Sequence, residues 1–155
     1  MRSCSFTGHR VIEKSKIPAL EALLSRAIDY VYSEGCRSFY CGGALGFDTI
    51  AAKLVIKKKM IFPDIRLIML IPCANQSVKW RESDKRMYDY ILSMANEVFF
   101  ISEEYTPDCM KKRNALLVEL ADVLVAYSGR SVGGSAQTVR MASKAGKTVY
   151  NLYQK

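Results

Sequence analysis

Short apolar runs alternate with stretches of helical periodicity along the whole of this chain, and that alternation leaves few folds open to it. The runs fall at residues 4–6, 38–41, 66–71, 97–101, 123–127 and 148–152. The third reads Arg-Leu-Ile-Met-Leu-Ile, apolar without a break from Leu67 on, as a strand covered on both faces must be. Pro72 is expected to end it. Between the runs, Ile17, Leu20, Leu24, Ala27, Ile28 and Val31 recur at helical spacing, with Ser15 as the expected N-cap, Pro18 in the first turn and Gly35 as the stop. Further helices are predicted over 47–60, 76–95, 109–120 and 135–145. Six strands and five crossing helices predict an α/β fold. A doubly wound arrangement is expected, with a mainly parallel sheet and helices on both faces. At 155 residues the chain reads as a single domain over 1–155.

In such a sheet a ligand sits beyond the carboxyl ends of the strands, where the strand order reverses. The unusual residues of this sequence all follow predicted strands. Gly8, His9 and Arg10 follow the first, and Gly42, Gly43, Gly46 and Asp48 the second. Gln76 and Trp80 follow the third, Tyr105, Arg113 and Asn114 the fourth, and Gly133, Gly134, Ser135 and Thr138 the fifth. A glycine turn opening a helix offers a phosphate close backbone approach and free N–H groups at a positive helix pole. The Gly42-Gly43-Ala44-Leu45-Gly46 turn is the main candidate, and the 128–134 loop is the second. Arg113 is expected as an exposed guanidinium that forks onto phosphate, with pairing to a buried carboxylate as the alternative. Tyr105 or Trp80 could stack on a base, and Trp80 could equally anchor the core. Asp48 suits either a helix start or a ribose or water contact, and His9 a solvent-facing or capping place or a ligand.

The chain carries 23 basic and 15 acidic residues, a net charge of +8, which favours anionic partners and also serves solubility. Lys57, Lys58 and Lys59 close a helix and suit its negative pole, so they require no nucleic acid. Five cysteines without a C-x-x-C pair, beside one histidine, argue against a zinc site, and no metal or cofactor is expected. Cys4, Cys41 and Cys73 lie in or just after apolar runs and read as buried thiols, and all five are expected to be free thiols in a reducing, cytoplasmic compartment. Arg2 and His9-Arg10 interrupt any signal-peptide core, and no apolar run approaches the ~20 residues of a membrane span.

Phe6-Thr7-Gly8-His9-Arg10, the 42–49 loop, Ile71-Pro72 with Gln76 and Trp80, the Met110–Asn114 segment with Asp122, and the 133–139 loop resemble, in order and spacing, the SLOG superfamily of Rossmann-like proteins. The resemblance is greatest to its YpsA-like branch, and it spans nearly the whole chain. It implies a nucleotide or nucleotide-derived ligand. Wider relatives include the Lonely Guy phosphoribohydrolases and the DNA-processing protein DprA. The phosphoribohydrolases follow their second glycine loop with a glutamate. Here Thr138 is followed by Val139 and Arg140. Three functions stand on this basis. One is a cytosolic sensor or binding protein for a nucleotide-like small molecule. Another is a nucleoside 5′-monophosphate phosphoribohydrolase, with Arg113 on the phosphate and Asp48 on the sugar or water as candidate catalytic residues. The third is single-stranded nucleic-acid binding as in DprA. The apolar content permits a homodimer.

Overall fold

The computed structural model describes residues 2–154, so Met1 and Lys155, the ends of the expected domain, lie outside the described residues. Strands β1 (Arg2–Gly8), β2 (Cys36–Cys41), β3 (Arg66–Cys73), β4 (Glu97–Ser102), β5 (Val123–Tyr127) and β6 (Thr148–Asn151) form one sheet in the order β4-β3-β2-β1-β5-β6. Every pairing is parallel. The fold is therefore an α/β Rossmann-like sandwich of six strands, with its reversal of strand order between β1 and β5.

Helices α1 (Ile17–Ser33), α2 (Phe47–Ile61) and α3 (Glu82–Met94) pack side by side, and α4 (Cys109–Leu120) packs with α5 (Gly134–Lys144). The two groups lie on opposite faces because right-handed crossovers stepping from β1 to β4 put their helices on one side. Return from β4 to β5 runs the other way. It carries α4 across β4, β3 and β1 on the far face. That long return puts the first turn of α4 against the carboxyl ends of the central strands.

The helix spacing read from the sequence does its work in α1, where Leu20, Leu24, Ile28 and Val31 are buried. Leu24 is fully enclosed, and truncation to alanine should cost about 2–5 kcal/mol. Between the sheet and α1–α3 lies the larger core, built round Phe6, Phe39 and Phe47. Phe6 stacks on Phe39 at 6.1 Å between ring centroids and meets Phe47 edge-on at 6.4 Å. β5 is buried at all five positions, as a strand covered on both faces requires.

Three local expectations are corrected. Pro72 does not end β3, which runs on to Cys73. β2 pairs only as far as Met69, so beyond that point β3 has a ladder partner on one side and can hold a residue without an N–H. Helix α3 begins at Glu82, not Gln76. Residues 74–79 instead form successive tight turns, in which Gln76 N–H bonds to Cys73 O, Val78 N–H to Asn75 O, and Trp80 N–H to Ser77 O. The helix starts where Glu82 and Asp84 can meet its positive pole. Ser15 is not an N-cap. It lies in a 3-10 turn over Lys14–Lys16, and α1 is entered through Lys16 and Pro18 without a side-chain cap.

Candidate functional site

The loops after β1 and β5 and the start of α4 enclose a cavity of about 270 Å³ at the switch point. Gly8, His9, Arg10, Asp48, Arg113, Asn114, Gly133, Gly134 and Ser135 line it, as the order of loops predicted. Arg130, Val132, Ala44 and Leu117 also line it; the sequence reading singled out none of them as a site residue, although the first three lie in its two glycine loops. Arg130 had a signal, being the cation inside the second glycine loop. A second cavity of about 400 Å³ adjoins the first and shares Arg10 and Ala44 with it. Gln76, Trp80 and Tyr105 belong to this one.

The two glycine loops have different jobs. Gly42, Gly43 and Gly46 line neither cavity. A Cβ on Gly42 would sit 2.7 Å from the Arg113 guanidinium carbon, and one on Gly43 would sit 2.6 Å from Ile71 Cδ1, with φ already at +74°. Gly46, at the entry to α2, abuts the backbone of His9 and Arg10. At the head of α2, Phe47 N–H donates to His9 O at 3.0 Å, and Ala44 N–H donates to Asp48 Oδ2 at 3.2 Å. This loop is packed shut. In the second loop Gly133 would meet nothing within 4 Å, and Gly134 only Asn114 Nδ2 at 3.6 Å. The expected open glycine entry therefore exists, and it leads into α5 rather than α2. The leading N–H groups of a helix lack internal partners and carry its positive pole.

Arg113 is not exposed. It is only 4% accessible. Its Nη1 donates to Gly42 O, and its Nε donates to Asn114 Oδ1 at 2.8 Å. The guanidinium is thus a bracket holding the first glycine loop to α4, with part of its surface forming the cavity floor. The expected exposed fork fails because the α4 return buries its first turn under the sheet's carboxyl ends. Asp48 is buried close by, and burial pushes its carboxyl up from the usual range, while Arg113 pulls it back.

His9 is a tether. Its Nε2 accepts the N–H of Gly129 at 3.1 Å, and its ring lies against Tyr127 and Tyr153 at 5.3 and 5.6 Å. An acceptor Nε2 requires the neutral ring with the proton on Nδ1. Burial and then Arg130 lower the His9 pKa and favour that form. Thr138 lines neither cavity. It is fully buried, with Oγ1 donating to Gly134 O at 2.8 Å inside α5. Gln76 Nε2 donates to Gly43 O at 3.1 Å, joining the turns after β3 to the packed loop. Trp80 packs edge-on against Tyr88 with centroids 5.1 Å apart, so it serves the core and a cavity wall together.

Around the first cavity stand three arginines, 10, 113 and 130, against the single carboxylate of Asp48. With the α5 pole added, the cavity is electropositive, an environment that favours an anion. All five cysteines are buried free thiols. No helix among the described residues is long and apolar enough to cross a membrane.

Residues 6–154 match the model of the YspA SLOG family. A UPF0398 protein of Bacillus cereus is 27% identical over 157 aligned residues, covering 95% of this chain and 85% of that protein. Among solved structures, DNA processing protein A from Streptococcus pneumoniae superposes with a TM-score of 0.72 at 18% identity, over 100% of this chain. This chain spans about half, 51%, of that protein's length. The Helicobacter pylori DNA processing protein A, described for its single-stranded DNA binding mode, gives a TM-score of 0.66 at 22% identity. That match covers 99% of this chain and 66% of the other.

Proposed function

The chain belongs to the YspA SLOG family, and from that premise we propose that it binds a nucleotide or nucleotide-derived ligand, with the phosphate in the cavity between β1, β5 and α5. One observation carries this reading: the only glycine helix entry left open among the described loops lies where the strand order reverses, ringed by arginines. A phosphate there gains free N–H donors, a helix pole and the Arg10 and Arg130 cations. We read the protein as a binding or sensing domain, since such a role needs no catalytic carboxylate. Buried free thiols support a reducing, cytoplasmic setting.

Gly134→Val tests this. Its branched side chain would enter the cavity mouth, where only Asn114 stands near, so the fold should survive. Calorimetric titration of inorganic pyrophosphate should show binding to the parent, and at least tenfold weaker binding to a fully folded Gly134→Val variant. Equal affinity in both proteins would move the anion elsewhere.

A second reading is favoured by the likeness to the Helicobacter pylori protein and the +8 charge: the same cleft could take a phosphate of single-stranded nucleic acid. Its signature is a steep fall of oligonucleotide affinity with salt. A flat salt dependence would leave the small-molecule reading alone.

A further inference from the structure

The second cavity lies on the other side of Arg10 from the anion site and differs from it in chemistry. Its walls are Leu45, Val78, Trp80, Tyr105 and Met110, and it contains no carboxylate. Its only charged lining residues are Arg10 and Lys79. Trp80 is fixed from behind by Tyr88, and Tyr105, from the loop after β4, is 65% exposed to water with its ring free. Two aromatic side chains at one wet apolar hollow favour a planar ring, which can stack and exclude that water.

Arg10 joins the two spaces. Its backbone lies close against Gly46, where a Cβ would meet the Arg10 carbonyl, and the preceding His9 carbonyl accepts the Phe47 N–H at 3.0 Å. The Arg10 side chain is exposed, makes no ion pair among the described residues, and donates one weak hydrogen bond, to Met110 Sδ at 3.8 Å. A fixed base with an uncommitted cation suits a group that must reach an anion on either side.

We propose that this second cavity is a subsite for a planar aromatic group. The ligand is then an elongated molecule, with phosphate between β1 and α5, its linker under Arg10, and a nucleobase-like ring between Trp80 and Tyr105. This deepens the anion-site reading and rests on it.

Trp80 is the single tryptophan of the chain, so intrinsic fluorescence reports on this cavity directly. The probes are inorganic pyrophosphate, ribose 5-phosphate and the four common nucleoside 5′-monophosphates. The first two should bind without altering Trp80 emission. At least one nucleotide should bind about fivefold or more tightly than ribose 5-phosphate and quench Trp80, the gain expected of one stacked base. Tyr105→Ala, at an exposed position, should remove most of that gain and leave ribose 5-phosphate binding unchanged. If ribose 5-phosphate binds as well as every nucleotide and Trp80 stays silent, the ring subsite is overturned and the anion site stands. If nucleotides quench Trp80 while pyrophosphate and ribose 5-phosphate fail to bind, the ring subsite stands and the anion assignment falls. No binding by any probe overturns both.

Discussion

Replacing Arg113 with alanine should destabilise the fold as well as disturb the site. The side chain is 4% exposed and donates to Gly42 O and Asn114 Oδ1. Each is a charge-assisted hydrogen bond, typically about 1.5–3 kcal/mol net. Removing the guanidinium also removes the cost of keeping it out of water, which offsets part of the loss. It leaves the Gly42 carbonyl unsatisfied and Asp48 buried without its cation. A net loss of about 2–4 kcal/mol is expected, at the upper end of ordinary single substitutions. For a chain this size that lowers Tm by roughly 5–15 °C. Arg113→Lys should fall between, because an ammonium keeps the charge and cannot serve both acceptors with one fork. Differential scanning calorimetry of parent, Arg113→Ala and Arg113→Lys, with pyrophosphate titrations on each folded protein, separates the roles. An alanine variant that melts with the parent but no longer binds pyrophosphate would refute the bracket and make Arg113 a ligand residue.

Gly43→Val should unfold or strongly destabilise the protein, since φ is +74° and the new side chain meets Ile71; a variant with the parental melt would show that this loop has slack. His9 should impose a pH limit on the site. Its pKa is lowered on folding, so its contribution is intact above its ordinary value of 6.5 and is lost as pH falls below that. Protonation forbids the Gly129 N–H bond, so the melting temperature should fall over the same range, and His9→Gln should flatten the profile; an unchanged profile removes the tether. Asp48 acts with the opposite sign, because its pKa is raised. Its contribution should decline as pH rises from its ordinary 3.8 through the raised value, and urea melts of Asp48→Asn should lack that decline.

The sheet, its order of elements and the rim of the site were legible in the sequence because they depend on local signals. Unbroken apolar runs such as 67–71 mark strands covered twice, and 3.6-residue spacing marks α1. Once strands alternate with helices, handedness places every strand-to-helix loop on one edge, so His9, Arg113 and Gly134 could be grouped without coordinates. Local signals could not say which glycines a ligand can reach. Gly42-Gly43 and Gly133-Gly134 look alike along the chain. Only the return of α4 across the sheet seats Arg113 on the first pair and leaves the second open. The same return buries a guanidinium that reads as surface charge, and the β3 ladder accepts Pro72 because β2 has already ended. Each of these outcomes depends on a neighbour distant in sequence: burial and access belong to the packed arrangement, whereas periodicity and turn chemistry belong to the residues themselves.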